Sequence, residues 1–521
     1  MNNIIRIGTR GSDLALWQAN HVKNQLEHLG CEVSITILKT QGDNIQHLSF
    51  DKLEGKGFFT KEIEEALLNK SIDLAVHSHK DLPTNNPEGL VIAAVSERED
   101  PADLVLIRKE KVDKTKLFQV KSASKVGTSS LRRRTQLQCF RSDITVDDLR
   151  GNVPTRIQKL RDGLYDAIVI AYAGVERLKL DISDLHAYKI PSWQMVPAPA
   201  QGVLALQIRE EDQHLMQILS QLNNEEVQNR IAIERGVLNL FDGGCQLPLG
   251  VYCEKEKDTY KISVSKAENA HKAPVRMYFE TASNEGMHHK IVSSFKSLQP
   301  CKIFLSSGEG DFTFFQKSLR DNGFEVHAES LIEVKAVPFT TIPETDWIFF
   351  NSKNAARFFF ASNPAIGNAK IAAVGIATAT YLRSCGYEVA FVGEEHSTKI
   401  TAKSFAKIVK NETVLFPQSK QSLQSIASVL PESQRFLIDV YETIEKDTIV
   451  AADVKMYVFT SPSNVRAFLQ RNSLTNKQVV CIGSATAYSL QGIDLASCHV
   501  ARKPSELCVL EKVYELAVAN R

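Results

Sequence analysis

Cys245 sits in the run Asp242-Gly243-Gly244-Cys245-Gln246-Leu247-Pro248-Leu249-Gly250. Two glycines before the thiol, with Pro248 and Gly250 after it, predict an exposed, sharply turning loop, because glycine reaches backbone angles other residues avoid. A thiol held there is open to sulfur chemistry, although with an ordinary pKa of about 8.5 it is mostly protonated at neutral pH. Taken alone, Cys245 reads equally well as a small residue filling a turn, so its company has to decide. Asp81 belongs to His77-Ser78-His79-Lys80-Asp81-Leu82-Pro83, directly after an apolar run over 72–76. A carboxylate at the end of such a strand can stabilise a developing cation or accept from an N–H donor. His77 and His79 lie two apart, on one face of an extended segment, but no third residue at a suggestive spacing joins them and no metal site is expected.

Arg10, Arg132, Arg133, Arg150, Arg156 and Arg177 recur on loops that follow strands. Guanidinium groups bind carboxylates bidentately, so arginines on several separate loops suit a substrate with many carboxylates. Gly127-Thr128-Ser129-Ser130-Leu131-Arg132-Arg133 is the sharpest instance. Thr128 or Ser129 is expected to cap a helix whose free N–H groups, with two guanidiniums, would hold an acid group. Arg134 and Arg161 read as parts of a solvated face. Nucleic acid is disfavoured as a partner, because the arginines are dispersed and no aromatic residues interleave with them for stacking.

The elements that must position these groups alternate. Periodicity predicts a strand over 4–7, a helix over 13–29 closed by Gly30, a strand over 33–38, a helix over 61–69 and a strand over 72–76. The pattern resumes with a helix through Arg132 to Cys139 and a strand over 167–171. Such alternation predicts α/β layers on mainly parallel sheets, with ligands at the carboxyl ends of strands. From about 231 to 298 it changes to a helix followed by alternating strands, a small α+β domain. The second half is duplicated. Phe349-Phe350-Asn351-Ser352 answers Val458-Phe459-Thr460-Ser461, and Val374-Gly375-Ile376-Ala377-Thr378 answers Ile482-Gly483-Ser484-Ala485-Thr486, at nearly one offset. An offset that long is no solenoid period and predicts two similar α/β lobes facing a cleft, each with a strand feeding a helix through a small polar turn.

Composition sets the outer limits. A chain of 521 residues exceeds one core, and its 43% hydrophobic content, 24% charged content and net charge of +1 are ordinary for a globular protein. No apolar run approaches a membrane span and the N-terminus has no signal-peptide core. Nine cysteines without short spacings argue against disulfides or a zinc ribbon, so a cytoplasmic protein with reduced thiols is expected.

Six motifs occur in order: Ile7-Gly8-Thr9-Arg10 with Leu14-Ala15-Leu16-Trp17-Gln18, the 77–83 segment, Gly127 to Arg133, Leu149-Arg150-Gly151-Asn152, Pro197-Ala198-Pro199-Ala200-Gln201-Gly202, and the Cys245 loop. Together they make residues 1–300 resemble the hydroxymethylbilane synthase, or porphobilinogen deaminase, family. Residues 301–521 resemble uroporphyrinogen-III synthases through the duplication, the Gly483 turn and Val440-Tyr441-Glu442-Thr443. The resemblance implies an α/β fold of two periplasmic-binding-protein-like domains plus a small α+β domain, followed by a duplicated two-domain α/β module. The implied boundaries are 1–98 with 199–225, then 99–198, then 226–298, and 299–521 for the synthase-like module.

The resemblance further implies a dipyrromethane cofactor joined to Cys245 by a thioether, on which four porphobilinogen units are condensed with loss of ammonia. Asp81 would interact with pyrrole nitrogens, assisting ammonia loss. Lys80, Ser129, Arg132, Arg133, Arg150 and Gly151 would hold the cofactor. Arg10, Ser12, Arg156 and Arg177, with Lys61 and Gln201 as lesser contacts, would hold substrate. In the second half Tyr441 would help water leave hydroxymethylbilane, and Ser352, Thr378, Ser461, Ser463 and Thr486 would line the cleft. Two departures stand out: His79 where the family often has Leu or Met, and Leu305-Ser306-Ser307 where an Arg often follows the first strand. The implied partners are porphobilinogen and hydroxymethylbilane, acting on a monomer with neither membrane nor nucleic acid. A second reading keeps the first activity and makes the C-terminal half an inactive structural or regulatory module. A solute receptor with an arginine-lined cleft is a further rival, against which the Cys245 loop counts.

Overall fold

Asp103–Ile107 and Leu204–Arg209 are buried along their whole length, and each runs antiparallel to both of its neighbours. They organise the first half of the chain, in a computed structural model that describes residues 4–39, 60–241, 247–393, 398–422, 424–450 and 453–519. One sheet has the spatial order Val33–Leu38, Ile5–Arg10, Leu74–Ser78, Leu204–Arg209, Leu90–Val95. A second has the order Thr145–Asp147, Lys125–Gly127, Ala167–Ala171, Asp103–Ile107, His186–Ile190. The two share one plan, three parallel strands, a reversed strand and a closing edge strand. The expectation of mainly parallel sheets therefore needs correcting: both are mixed, because the chain crosses between them twice and inserts a reversed strand each time. The two reversed strands are mostly apolar, as strands covered on both faces must be.

The crossing segments are pinned by a buried carboxylate. Glu234, on the helix Glu225–Leu240, accepts from Arg98 Nη1 at 2.7 Å, from the Ala200 amide at 2.7 Å and from the Cys253 amide at 2.8 Å. Gly202 has φ +90°, and a Cβ there would lie 2.3 Å from the Glu99 carbonyl, so only glycine lets the two crossings touch. A three-stranded antiparallel sheet, Leu249–Glu256, Thr259–Lys266 and Val275–Thr281, follows with the helix Met287–Lys296.

The described chain divides into two compact units. One comprises Met1–Pro300 with Phe314–Phe324 and Leu510–Arg521; the other comprises Cys301–Thr313 and Glu325–Val509. The second unit has a parallel five-stranded sheet and a six-stranded sheet that is parallel apart from the edge pair Ile332–Ala336 and Arg435–Glu445. The duplication is exact in its turns. Ser352 and Ser461 cap the helices Lys353–Ala361 and Pro462–Leu469 with backbone angles of −161°, 160° and −159°, 157°. Gly375 and Gly483 precede the helices Ile376–Ser384 and Ser484–Tyr488 in the same extended geometry. No described helix is long and apolar enough to cross a membrane.

Candidate active site

Leu74–Ser78 ends at the carboxyl edge of the first sheet, and a single helical turn, His79–Asp81, leaves Asp81 exposed there. A cavity at this edge is lined by Arg10, Ser12, Gln18, His77, Ser78 and Asp81 among others. Ser12 caps the helix Asp13–His28, accepting from the Ala15 amide at 3.4 Å. The two histidines do not share an extended face as expected, because the strand stops between them. His77 Nε2 meets Gln207 Oε1 at 3.1 Å on the neighbouring strand. Burial pushes His77 down to about 4 and His79 down to about 3, so both are neutral at pH 7. Among the described residues no group of three or more His, Cys, Asp or Glu could hold a metal ion.

Lys80 lies within electrostatic reach of Asp81, Arg132 and Arg133, and Arg156 within reach of Asp81, Arg133 and Arg150. Lys80 keeps a partly open surface but lies deep in the crevice. Burial, reinforced by Arg133 and Arg132, pushes it down to about 8 against the pull of Asp81 and Asp103. Burial and Arg133 likewise lower Arg156, to about 10. Arg156 Nε also donates to the Gly151 carbonyl at 2.7 Å, and Gly151 has φ +113°. Arg150 stands half-buried beside that turn. Arg177 is buried, donating to the Gly202 carbonyl at 2.6 Å, with its guanidinium carbon 5.6 Å from the Trp17 ring centre.

The helix Leu131–Phe140 is capped by Ser130, accepting from the Arg133 amide at 3.5 Å, and not by Thr128 or Ser129. The hydroxyl of Ser129 is engaged with Leu149, donating to its carbonyl at 2.7 Å and accepting from its amide at 3.0 Å. The helix starts one or two residues later than the cap reading required, which frees Ser129 to tie this turn to the Arg150 turn. Lys61 lies on the exposed side of its helix, 4.0 Å from Glu65, while Thr60 and Ile63 of that region line the cavity. The surface reading of Arg134 and Arg161 holds: they pair with Asp148 and Asp184. Cys245 lies outside the described residues.

Asp103 is the residue that the sequence reading missed. It is fully buried and receives Arg132 Nη1 at 2.6 Å, Arg133 Nη2 at 2.8 Å and Gln201 Nε2 at 3.0 Å. Burial alone would raise its carboxyl, but the two guanidiniums outweigh that and hold it far below the usual range. Gln201 also accepts from Lys80 Nζ at 3.4 Å, linking the crevice lysine to this cluster. A signal was present: an acidic residue opening the all-apolar strand Asp103–Ile107 must find a cation.

In the second unit the hydroxyls of Ser352 and Tyr441 lie 3.3 Å apart, and Tyr441 stacks on Phe358 at 5.6 Å. Thr378 and Thr486 are buried at matching helix starts. Ser463 accepts from Arg466 Nη2 at 3.2 Å, and Ser461 receives both the amide and the side-chain nitrogen of Asn464.

Comparison with known proteins follows this division. Residues 5–217 match the family model "Porphobilinogen deaminase, dipyromethane cofactor binding domain", and residues 314–507 match "Uroporphyrinogen-III synthase HemD". A porphobilinogen deaminase from Maridesulfovibrio salexigens is 44% identical over 275 residues, covering 52% of this chain and 87% of that protein. One from Nitratidesulfovibrio vulgaris is 46% identical over 246 residues, covering 47% of this chain and 76% of that protein. The solved uroporphyrinogen-III synthetase from Helicobacter pylori aligns with 41% of this chain and 99% of its own, at 23% identity and a TM-score of 0.32. At that identity and coverage of its deaminase relatives, the chain belongs to the porphobilinogen deaminase family, with a uroporphyrinogen-III synthase region fused after it.

Proposed function

We propose that the chain is a bifunctional enzyme of tetrapyrrole biosynthesis. Its first part condenses four porphobilinogen molecules into hydroxymethylbilane with release of ammonia, and its second closes that product to uroporphyrinogen III. The observation that carries the first activity is the excess of cations beside Asp81. Burial lowers Lys80 to about 8 and Arg156 to about 10, with Arg133 adding to both shifts, so each is a desolvated cation whose charged form an incoming carboxylate would stabilise. A growing chain of acetate- and propionate-bearing pyrroles supplies such carboxylates at every ring.

The same cation excess fits a dipyrromethane on Cys245. Lys80, Arg132, Arg133, Arg150 and Arg156 are the groups placed to hold its acid side chains, with Ser129 and Gly151 shaping the turn between them. When bound, the cofactor supplies the free pyrrole end to which substrate is joined. The residues of this chain bind and orient. Asp81, exposed at the strand end, accepts from a pyrrole N–H and opposes the positive charge that develops as ammonia leaves the substrate. Arg10, Ser12 and Arg177 border the remaining approach, with Lys61 and Gln201 at its margins. For ring closure, the Ser352–Tyr441 hydroxyl pair would assist departure of water, with Thr378, Ser461, Ser463 and Thr486 contributing from helix starts.

Intact mass of the purified full chain tests the first activity. The expected result is a covalent increment equal to a dipyrromethane, absent from Cys245→Ser. Product analysis tests the second: the III isomer is expected from the full chain, and the I isomer alone would leave the C-terminal region without cyclase activity.

A further inference from the structure

The helix Leu131–Phe140 carries Arg132 and Arg133 on its first turn and Gln136 one turn later. Gln136 is buried and fully occupied. Its Nε2 donates to the Arg132 carbonyl at 3.3 Å and the Val196 carbonyl at 3.1 Å, and its Oε1 accepts from the Val196 amide at 2.9 Å. Val196 in turn accepts from Arg132 Nη1 at 3.0 Å. One glutamine therefore fixes the second crossing segment against the arginine that binds Asp103, five residues before Gln201 reaches Lys80.

Arg276, from the strand Val275–Thr281, meets Gln136 Oε1 at 3.2 Å, and donates to the Gln194 carbonyl at 3.0 Å and the Trp193 carbonyl at 2.7 Å. Those acceptors are neutral. A counter-charge is supplied by Glu511, 3.5 Å away on the helix Glu506–Leu516, with both side chains almost wholly buried. Leu510–Arg521 and Phe314–Phe324 cluster with Met1–Pro300. Their contacts reach the same helix: Phe314 stacks on Phe140 at 4.3 Å. Ser318 donates to the Pro274 carbonyl at 2.9 Å and meets the Tyr514 hydroxyl at 2.9 Å.

We propose that Glu511, more than 200 residues beyond the deaminase motifs, is a positioning residue for the crevice: through Arg276 and Gln136 it holds the Val196 segment against Arg132. This rests on the deaminase reading above. Removing the carboxylate takes a counter-charge from a buried guanidinium, and that guanidinium relaxes its hold on Gln136 and on the Trp193 and Gln194 carbonyls. The crevice arginine is then less well placed for an incoming carboxylate, while Asp81 is untouched. Binding should weaken while turnover persists.

The test measures deaminase kinetics on the full chain at a temperature where every variant is folded. Glu511→Gln is expected to raise KM for porphobilinogen ~5-fold with kcat nearly unchanged, and Glu511→Asp to recover part of the loss. Gln136→Met should give the same KM defect, and the double variant Glu511→Gln/Gln136→Met no more than either alone, as two links of one relay require. Ser318→Ala, which removes a buried contact of the docked segment outside the relay, should lower the melting temperature but leave KM unchanged. An unchanged KM in Glu511→Gln, additive effects in the double variant, or an equal KM defect in Ser318→Ala would overturn the positioning role in an otherwise active chain. A wild-type chain with neither covalent dipyrromethane nor porphobilinogen turnover would overturn the parent reading as well.

Discussion

The crevice beside Asp81 and the serine and threonine hydroxyls of the second unit are built in opposite ways. The first is built from ions: guanidiniums and an ammonium, with Asp103 as an internal counter-charge and a half-buried lysine pushed down to about 8. The second set is small hydroxyls at helix starts, Ser352 and Thr378 after strands of the six-stranded sheet and Ser461 and Thr486 after strands of the five-stranded sheet, with Tyr441 beside Ser352 and stacked on a phenylalanine. Ions taken out of water must be paired and positioned at some cost, which suits a site that grips many carboxylates through several additions. Hydroxyl caps cost little and grip little, which suits a step in which the substrate's own reactivity does most of the work.

The sharpest way to break this contrast is to remove the charge that does chemistry. Asp81→Asn keeps the size of the side chain and is expected to lower deaminase turnover by about 100–1000-fold, the usual cost of one preorganised electrostatic contact. Cys245→Ser should go further and abolish both the covalent mass increment and pigment formation. If Asp81→Asn retained most of its turnover, the crevice would be a grip alone.

Asp103→Asn comes next, and its effect falls on stability. Two buried guanidiniums lose their shared counter-charge, at an expected cost of about 3–5 kcal/mol. Thermal unfolding of the full chain reads this directly. A wild-type melting temperature in Asp103→Asn would show that other groups neutralise Arg132 and Arg133.

Acid sharpens the same point through His77 and His79. Their folded values of about 4 and about 3 lie below the ordinary 6.5, so the folded state binds fewer protons across that window. Stability is then full above about pH 6.5 and falls as pH drops toward 4, by up to about 1.4 kcal/mol per pH unit for each histidine. His77→Gln, which keeps a partner for Gln207, should reduce that slope by half. The Lys80 value works in the same direction but in a higher window: a folded pKa of about 8 against 10.5 makes the empty crevice more stable as pH rises from 8 to 10.5. Porphobilinogen binding should weaken over the same rise, and Lys80→Arg should move that limb upward.

What was legible in the sequence follows from how each feature is encoded. The strands of the first half, the Asp81 turn and the arginine loops show as apolar runs broken by glycine and charge, and the structure brings Lys80, Asp81, Arg132, Arg133 and Arg156 together. The reversed strands were not legible, because Leu204–Arg209 has the same apolar run whichever way it enters the sheet. Asp103 was overlooked because it sits in no glycine-rich motif, although its place before four apolar residues demanded a cation. The Ser130 cap was missed because Thr128, Ser129 and Ser130 are equally good caps by type, and only the hydrogen bonds of Ser129 to Leu149 separate them. The Arg276–Glu511 pair was out of reach, since residues 235 apart leave no local trace.

The smallest effect tests the hydroxyl side of the contrast. Ser352 and Ser461 are equivalent caps, accepting from Ala355 at 3.0 Å and from Asn464 at 3.2 Å, so Ser352→Ala and Ser461→Ala should each cost about 1 kcal/mol of stability. They differ in what else they touch: Ser352 meets the Tyr441 hydroxyl, whereas Ser461 is occupied by the Asn464 side chain. If the Tyr441 pair serves ring closure, Ser352→Ala and Tyr441→Phe should shift the product from the III toward the I isomer by a similar fraction, and Ser461→Ala should shift it less. Equal shifts from both serines would mean that the duplicated caps act only by holding their helices, and that Tyr441 is part of the packing against Phe358.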